Sequence, residues 1–367
     1  MIAILIATAL VFAISGTFAA LLLVAERYLV NYGQCEIDIN ASQRTLSVKG
    51  GESLLSSLMA EGVFVPSACG GRGTCAYCKV KVVDGAGPLA PTEAPLLSED
   101  EIRDNVRISC QVKVRNDIRI EIPPELFAIK RFVGTVEAMR DLTHDIKQLR
   151  IALTDPPEID FVPGQYIQLE VPSYGGGRGE VYRAYSMSNP PSDARHVETI
   201  VRLVPGGICT TWVFEHLKVG DAVALTGPYG EFRLSDSARE MVWIAGGSGM
   251  APFWSILRHM AENDIRRKCT YFFGAVAARD LFYIDELRRL ADELDWFTFI
   301  PALSSPAVED NWAGEQGLIT DVVARHVSDG ADMEGYLCGS PGMIDASIKV
   351  LHEKSITDDR IFYDKFA

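Results

Sequence analysis

The stretch C-G-G-R-G-T-C-A-Y-C, residues 69–78, sets three cysteines and three glycines in ten positions. The spacing is C-x5-C-x2-C, and Cys110 follows thirty-two positions after Cys78. Disulfides, zinc and iron–sulfur clusters all gather cysteines. Disulfide frameworks belong to short, cysteine-dense secreted chains, whereas this chain has 367 residues and eight cysteines. Structural zinc wants two C-x-x-C pairs, or histidines at ligand spacing, and the six histidines here are scattered. Three thiolates on one loop and a distant fourth suit a [2Fe–2S] cluster. Glycines let the loop fold tightly and turn its N–H groups toward the sulfurs. The expected metal ligands are therefore Cys69, Cys75, Cys78 and Cys110. Cys35, Cys209 and Cys269 read as buried or incidental thiols. S-L-L-S-S-L-M-A before the loop reads as a helix, and K-V-K-V-V after it as a strand. I-S-C-Q-V-K-V places Cys110 at a strand.

Working outward, the chain is long enough for several domains. It is 48% hydrophobic and 23% charged, which excludes disorder. A net charge of −14 argues against nucleic acid as a partner. Met1–Ala25 carries no charge. As a helix it would be roughly 35 Å long, enough for a bilayer core. A signal peptide would have a basic start and a shorter apolar stretch. The segment, taken as residues 1–27, is read as a retained membrane anchor. Its stretch Met1–Ala25 has no ionisable residue to line an ion path.

The next hundred or so residues, after the proline pair Pro123–Pro124, read as many short strands, as in a barrel. Y-G-G-G-R-G-E, from Tyr174, is a flexible surface loop. R-A-Y-S-M-S-N, residues 183–189, follows. It resembles the R-x-Y-S flavin signature of the ferredoxin–NAD(P)+ reductase superfamily. The resemblance implies that Arg183 pairs with the flavin pyrophosphate, Tyr185 stacks on the isoalloxazine and Ser186 hydrogen-bonds near its reactive nitrogen. P-G-G-I-C-T-T-W, residues 205–212, puts Gly206 and Gly207 before a helix carrying Thr210 and Thr211. A helix N-terminus favours phosphates. The superfamily usually has Ser or Thr near this start; Thr210 and Thr211 match it, while Cys209 departs from it.

M-V-W-I-A-G-G-S-G-M-A-P, residues 241–252, reads as a buried strand, a glycine turn and a helix. It resembles the superfamily's G-G-x-G-x-x-P form and implies nicotinamide dinucleotide binding by Gly246, Gly247, Gly249, Met250 and Pro252. Strands and helices alternate to the C-terminus, as in an open parallel sheet. C-G-S-P-G-M, residues 338–343, resembles C-G-P-P-x-M, which implies that Cys338 and Gly339 lie beside the nicotinamide. The superfamily closes with an aromatic that covers the flavin face, and the resemblance implies that role for Phe366. Tyr185, Ser186, Cys338 and Phe366 are the expected catalytic set.

Residues 35–122 resemble a β-grasp ferredoxin. The five-residue first gap is similar to adrenodoxin-like proteins and to the family of NADH-oxidising F-subunits of Na+-translocating NADH:quinone oxidoreductases. E-D-N-W-A-G and D-L-F-Y extend that resemblance over nearly the whole chain, although Ser173–Val181 is shorter than in that family. The expected architecture is multidomain, α+β and α/β. It comprises a transmembrane anchor at 1–27, a 2Fe-2S ferredoxin domain at 33–123, an antiparallel FAD barrel at 128–236 and a parallel α/β NAD domain at 239–367. The resemblance implies a hydride passed from NADH to FAD, then single electrons to the cluster and to a membrane acceptor such as quinone. It also implies integral membrane partner subunits and a single-pass place in the bacterial inner membrane, with the soluble domains facing the cytoplasm. A tethered reductase feeding an oxygenase, and an electron-relay subunit with a dead nucleotide site, are the other readings. NADH is favoured over NADPH because A-V-A-A-R-D, residues 275–280, offers only Arg279 to a 2′-phosphate.

Overall fold

The computed structural model describes residues 2–29, 32–67, 69–174 and 181–366. They form two compact units, one within Met1–Pro66 and Gly71–Ala128, the other within Ser67–Gly70 and Ile129–Ala367. Most of the expected surface loop, residues 175–180, lies outside the described residues.

The first unit begins with helix α1 (Ile2–Leu29). Among the described residues no helix is long and apolar enough to cross a membrane, so the expected span finds no support there. Next come β1 (Gln34–Ile39), β2 (Arg44–Lys49), α2 (Leu54–Ala60), β3 (Lys79–Asp84), α3 (Glu99–Arg103), β4 (Val106–Ile108) and β5 (Ile118–Glu121). The strands make one sheet in the order β2-β1-β5-β3-β4, with β1 and β5 parallel. The helix expected at S-L-L-S-S-L-M-A is α2. The Ser53 hydroxyl caps it by accepting from the Ser56 N–H, which satisfies one of the donors a helix start leaves open. Leu54, Leu55 and Leu58 then face Ile37, Ile39, Val80 and Ile120 in the core.

The second unit starts with a six-stranded antiparallel sheet. Its strands are β6 (Lys130–Asp141), β7 (Ile146–Asp155), β8 (Tyr166–Val171), β9 (Val181–Ser186), β10 (His196–Arg202) and, after the short helix α4 (Ile208–Thr211), β11 (Ala222–Tyr229). The order is β10-β7-β6-β11-β8-β9. A bridge between Met187 and Thr199 brings the two ends together as a barrel closes.

The remainder alternates strand and helix: β12 (Glu240–Gly246), α5 (Met250–Glu262), β13 (Cys269–Ala275), α6 (Ile284–Glu293), β14 (Phe297–Leu303), β15 (Glu315–Gln316), α7 (Ile319–His326), β16 (Met333–Gly339), α8 (Pro341–Glu353) and β17 (Ile361–Lys365). All six strands are parallel, in the order β15-β14-β13-β12-β16-β17. Side chains alternate between faces. Met241, Trp243 and Ala245 pack on one face with Tyr271 and Phe273. Val242 and Ile244 pack on the other with Phe272 and Leu337. Both faces are covered, which is why M-V-W-I-A is apolar throughout rather than alternating. The chain leaves β12 toward β13 and later returns to its other side with β16. That reversal opens a crevice at the carboxyl ends of β12 and β16.

Candidate functional site

In the first unit, Cys75 and Cys78 lie on the loop entering β3, half-buried and buried respectively. Cys110 lies in the turn after β4 rather than in a strand. The strand ends at Ile108, whose carbonyl accepts from the Gln111 N–H at 2.8 Å. The Ser109 N–H donates to the Cys78 carbonyl at 2.8 Å and ties the two cysteine segments together. Cys69 belongs to the short segment grouped with the second unit.

Gly71 and Gly73 have φ of +81° and +74°, a region open to glycine but strained for other residues. The Gln111 amide reaches toward the Cys110 sulfur at 3.8 Å. A Cβ on Gly73 would lie 2.1 Å from that same amide nitrogen. The Ser109 hydroxyl is buried with no partner among the described residues. Thiolates beside a glycine cradle and an orphan hydroxyl donor fit an iron–sulfur group. Among the described residues, however, no three Cys, His, Asp or Glu side chains are gathered as a metal-holding group.

A buried ion pair braces this region. Arg107 meets the Glu93 carboxylate at 2.6 Å, with both side chains nearly inaccessible. Arg107 also donates to the carbonyls of Gly87 and Pro88. Burial opposes ionisation of Glu93, but hydrogen bonds from Arg107 and from the N–H groups of Ile108 and Ala90 hold its carboxyl below the usual range. A pair this fully hydrogen-bonded escapes the penalty of an isolated buried charge. It fixes the strand that leads to Cys110.

In the barrel, R-A-Y-S lies on β9, with Arg183 opposite Leu169 and Tyr185 opposite Ile167. Ser186 is buried, and Arg183 and Tyr185 are partly buried. Arg183 donates to the Tyr182 carbonyl at 2.7 Å. The Tyr185 ring packs at the edge of the barrel core, leaving part of its surface to a ligand. Its hydroxyl donates to the Cys209 sulfur at 3.1 Å. Burial raises the tyrosine well above its ordinary range and pushes the Cys209 thiol up to about 11, so both stay protonated.

Gly206 has φ +71° and an open surround, and Gly207 caps α4. The Thr210 hydroxyl is used inside this turn, accepting from the Val204 N–H at 3.1 Å. Thr211 is half-exposed. The helix expected to run to His216 continues past α4 as one wider turn, Trp212–His216.

At the sheet crevice, Gly246, Gly247 and Gly249 form the turn from β12 into α5, where Met250 and Pro252 are buried. A Cβ on Gly249 would lie 2.3 Å from the Cys338 carbonyl oxygen. The two motifs are thus in backbone contact, and only glycine permits it. Cys338 is fully buried in the core, and this burial, with Asp364 beside it, raises its thiol well above the usual range. The Phe366 N–H donates to the Gly339 carbonyl at 2.9 Å, so the terminal aromatic is fixed next to Cys338–Gly339. The barrel contributes too. Arg202 approaches Gly247, the Ser255 hydroxyl donates to the Asn189 carbonyl at 2.6 Å, and Arg258 meets Glu198 at 3.1 Å.

Sequence reasoning missed three contributors. Cys209 was signalled only by its departure from Ser or Thr. Asp364 pairs with Cys338 across β16 and β17, and burial pushes its carboxyl up to about 6. An acidic residue in Y-D-K-F-A gives no hint of that. Glu93 and Arg107 drew no reading, because a pair fourteen positions apart has no local pattern.

Comparison with known proteins bears on all three regions. The family models described as 2Fe-2S iron-sulfur cluster binding domain, Oxidoreductase FAD-binding domain and Oxidoreductase NAD-binding domain match residues 37–115, 134–234 and 243–349. Among solved structures, the Amycolatopsis cytochrome P450 reductase GcoB is 29% identical, with a TM-score of 0.73 over 90% of this chain and 98% of its own. The ferredoxin reductase in carbazole 1,9a-dioxygenase is 28% identical, with a TM-score of 0.69 over 91% and 99%. The F-subunit of Na(+)-translocating NADH-quinone reductase in Neisseria meningitidis is 35% identical over 95% of this chain and 96% of its own length. That of Pseudomonas paraeruginosa is 37% identical over 95% of each. The Neisseria alignment runs over 389 positions against 367 residues here, so that relative carries segments this chain lacks. At this identity over nearly the whole of both chains, the protein belongs to the family of F-subunits of the Na(+)-translocating NADH-quinone reductases.

Proposed function

We propose that the chain is the electron-input subunit of a membrane NADH:quinone oxidoreductase, taking a hydride from NADH and delivering single electrons onward. The observation that carries this reading is the backbone contact between Gly249 and Cys338, with Phe366 tied to Gly339. It joins the dinucleotide turn, the buried thiol and the terminal aromatic in one crevice. When bound, FAD accepts two electrons together and releases them singly, as a [2Fe–2S] cluster requires.

The protein's own residues bind and orient. The forked Arg183 guanidinium suits a pyrophosphate. Tyr185 offers the accessible part of its ring to the isoalloxazine and Ser186 a hydroxyl near it. Gly206, Gly207 and Thr211 present backbone and hydroxyl donors to the flavin phosphates, while Thr210 shapes their turn. The N–H groups at the start of α5, after Gly246, Gly247 and Gly249, face the dinucleotide phosphates. Met250 and Pro252 seat that helix. Cys338 and Gly339 floor the nicotinamide pocket, and Phe366 screens it from water until the nicotinamide takes its place. Cys69, Cys75, Cys78 and Cys110 are the proposed cluster ligands.

NADH is the proposed donor. The turn after β13 is capped by carboxylates, since Asp280 accepts from the Ala277 N–H at 3.0 Å and Asp310 from the Ala278 N–H at 3.5 Å. A 2′-phosphate brought there meets like charge, and Arg279 is largely exposed.

The anchor reading rests on α1. Its sequence is uncharged to Ala25, and Leu10, Phe12, Ile14, Phe18 and Leu21 are all more than half exposed. Such a surface suits lipid better than water. Placement in the bacterial inner membrane, with integral partner subunits and the cofactor domains on the cytoplasmic side, follows from this reading. Protease added to sealed inverted vesicles is expected to remove the cofactor domains, and their protection would reverse the topology.

A second reading, a tethered reductase serving an oxygenase, is favoured by the likeness to two oxygenase reductases. Membranes from cells carrying or lacking the chain separate the two. Quinone reduction that needs NADH, the chain and its membrane partners supports the electron-input role. Reduction of a soluble acceptor only, with quinone untouched, refutes it.

A further inference from the structure

We infer that Cys209 is a positioning residue for the flavin platform, its sulfur holding the Tyr185 ring at the tilt required for stacking. The inference rests on the reading of Tyr185 as that platform. Tyr185 is held along its strand by pairing with β8, which fixes its Cα but leaves χ1 and χ2 free. Among the described residues, the polar contact at the far end of the ring is the hydroxyl donating to the Cys209 sulfur at 3.1 Å, beside the packing of the ring on the barrel core.

Cys209 itself has little freedom. It is 2% exposed, packed in the barrel core with Val213 and Trp212, and follows the Gly207 cap and Ile208 in α4. The preceding residue is also pinned, because the Tyr174 hydroxyl donates to the Ile208 carbonyl. The α4 turn is thereby joined to the barrel through two tyrosines, one to backbone and one to sulfur. The same turn carries Gly206, Gly207 and Thr211, so a shift of Cys209 moves the phosphate end and the ring end of the flavin site together. Sulfur is a weaker and longer-reaching acceptor than oxygen.

The test uses the full-length holoprotein in detergent, with Cys209→Ala, Cys209→Ser, Tyr185→Phe, the Cys209→Ala/Tyr185→Phe double variant and Tyr185→Ala. Readouts are flavin absorption, flavin midpoint potential, and kcat and KM for NADH with a one-electron dye. Cys209→Ala and Tyr185→Phe are expected to shift the flavin spectrum and potential in the same direction. They should lower kcat about five- to tenfold with KM for NADH unchanged, as loss of orientation does. The double variant should be no worse than either single, and Cys209→Ser should recover most of the loss. Wild-type behaviour of Cys209→Ala, additive effects in the double variant, or Cys209→Ser as impaired as Cys209→Ala would each overturn the inference. If Tyr185→Ala leaves flavin binding and spectrum unchanged, the platform reading itself falls. If Tyr185→Ala perturbs them while Cys209→Ala does not, only the role of Cys209 falls. Should Cys209→Ala fail to fold, Tyr185→Phe against Cys209→Ser carries the test.

Discussion

Two glycine-rich stretches of this chain look alike in sequence and differ in what their glycines do. In C-G-G-R-G-T-C-A-Y-C, Gly71 and Gly73 sit at positive φ, and the nearest atom to an added Cβ on Gly73 is the movable end of Gln111. In G-G-S-G-M-A-P, Gly249 has φ −61°, which any residue adopts. What it meets is backbone, the Cys338 carbonyl oxygen at 2.3 Å and carbon at 2.7 Å. Gly73 is needed for conformational freedom. Gly249 is needed for absence of volume.

This difference makes opposite demands on substitution. Gly249→Ala is expected to have the largest effect, because neither partner can retreat without breaking β16. A loss of about 1–3 kcal/mol is expected from overpacking, read as a lower thermal midpoint, together with a drop of two orders of magnitude or more in kcat/KM for NADH. A Gly249→Ala protein with wild-type kinetics would end the close-approach argument.

Asp364, on the other side of Cys338, sharpens the picture through pH. Its folded pKa of about 6 lies above the ordinary 3.8, because burial disfavours the charged form. A raised carboxylate contributes stability that is present below about pH 4 and is lost as pH rises through about 6. Glu334 behaves in the opposite sense. Burial opposes its charge, but hydrogen bonds from Ser235, Arg267 and Tyr336 bring it down to about 2. Its stabilisation is present above about pH 4.5 and fails only in stronger acid. Between pH 5 and 7.5 the slope from this pair therefore belongs to Asp364. Asp364→Asn should stabilise the protein at pH 7.5 by at most about 2 kcal/mol relative to its effect at pH 5. Differential scanning calorimetry at both pH values reads this directly, and an equal shift at both would refute it.

Gly73→Ala tests the other half of the comparison. Gln111 can swing aside, so the remaining penalty is the left-handed backbone, about 1–2 kcal/mol. Gly73→Asn should lose less, since Asn tolerates that region better. Equal losses would mean that contact, not φ, governs the loop. The smallest effect is expected at Ala76, a non-glycine residue at φ +58° in the same loop. Ala76→Gly relieves that strain and should raise stability by less than about 1 kcal/mol. Urea titration followed by loss of cluster absorbance resolves the sign.

Legibility in the sequence followed the same division. The parallel sheet was readable because both of its faces are buried, and runs such as C-T-Y-F-F-G-A mark their own ends. β13 covers Cys269–Ala275, as expected. Cys110 was misplaced because Ile108, Val112 and Val114 are buried on both sides of it and imitate a strand. The backbone turns at Ser109–Gln111 instead, a choice made by the pairing of Ser109 with Cys78. R-A-Y-S falls on a strand, as expected, since β9 covers Val181–Ser186, and Arg183, Tyr185 and Ser186 are proposed for the flavin from their residue types. Cys209 was marked only by its departure from Ser or Thr, and Asp364 and the Glu93–Arg107 pair were silent. Their roles depend on what the fold brings beside them, and a side chain's partner across a barrel or between two strands leaves no mark on its own neighbours in sequence.

The central claim is a relay that enters at the Gly249–Cys338 crevice and leaves through the cysteine loop. It is tested most directly by anaerobic stopped-flow mixing of the full-length holoprotein with NADH, and separately with NADPH. The account predicts loss of flavin absorbance first, loss of cluster absorbance after it, and both faster with NADH. Flavin reduction that never reaches the cluster, or equal rates with the two donors, would contradict it.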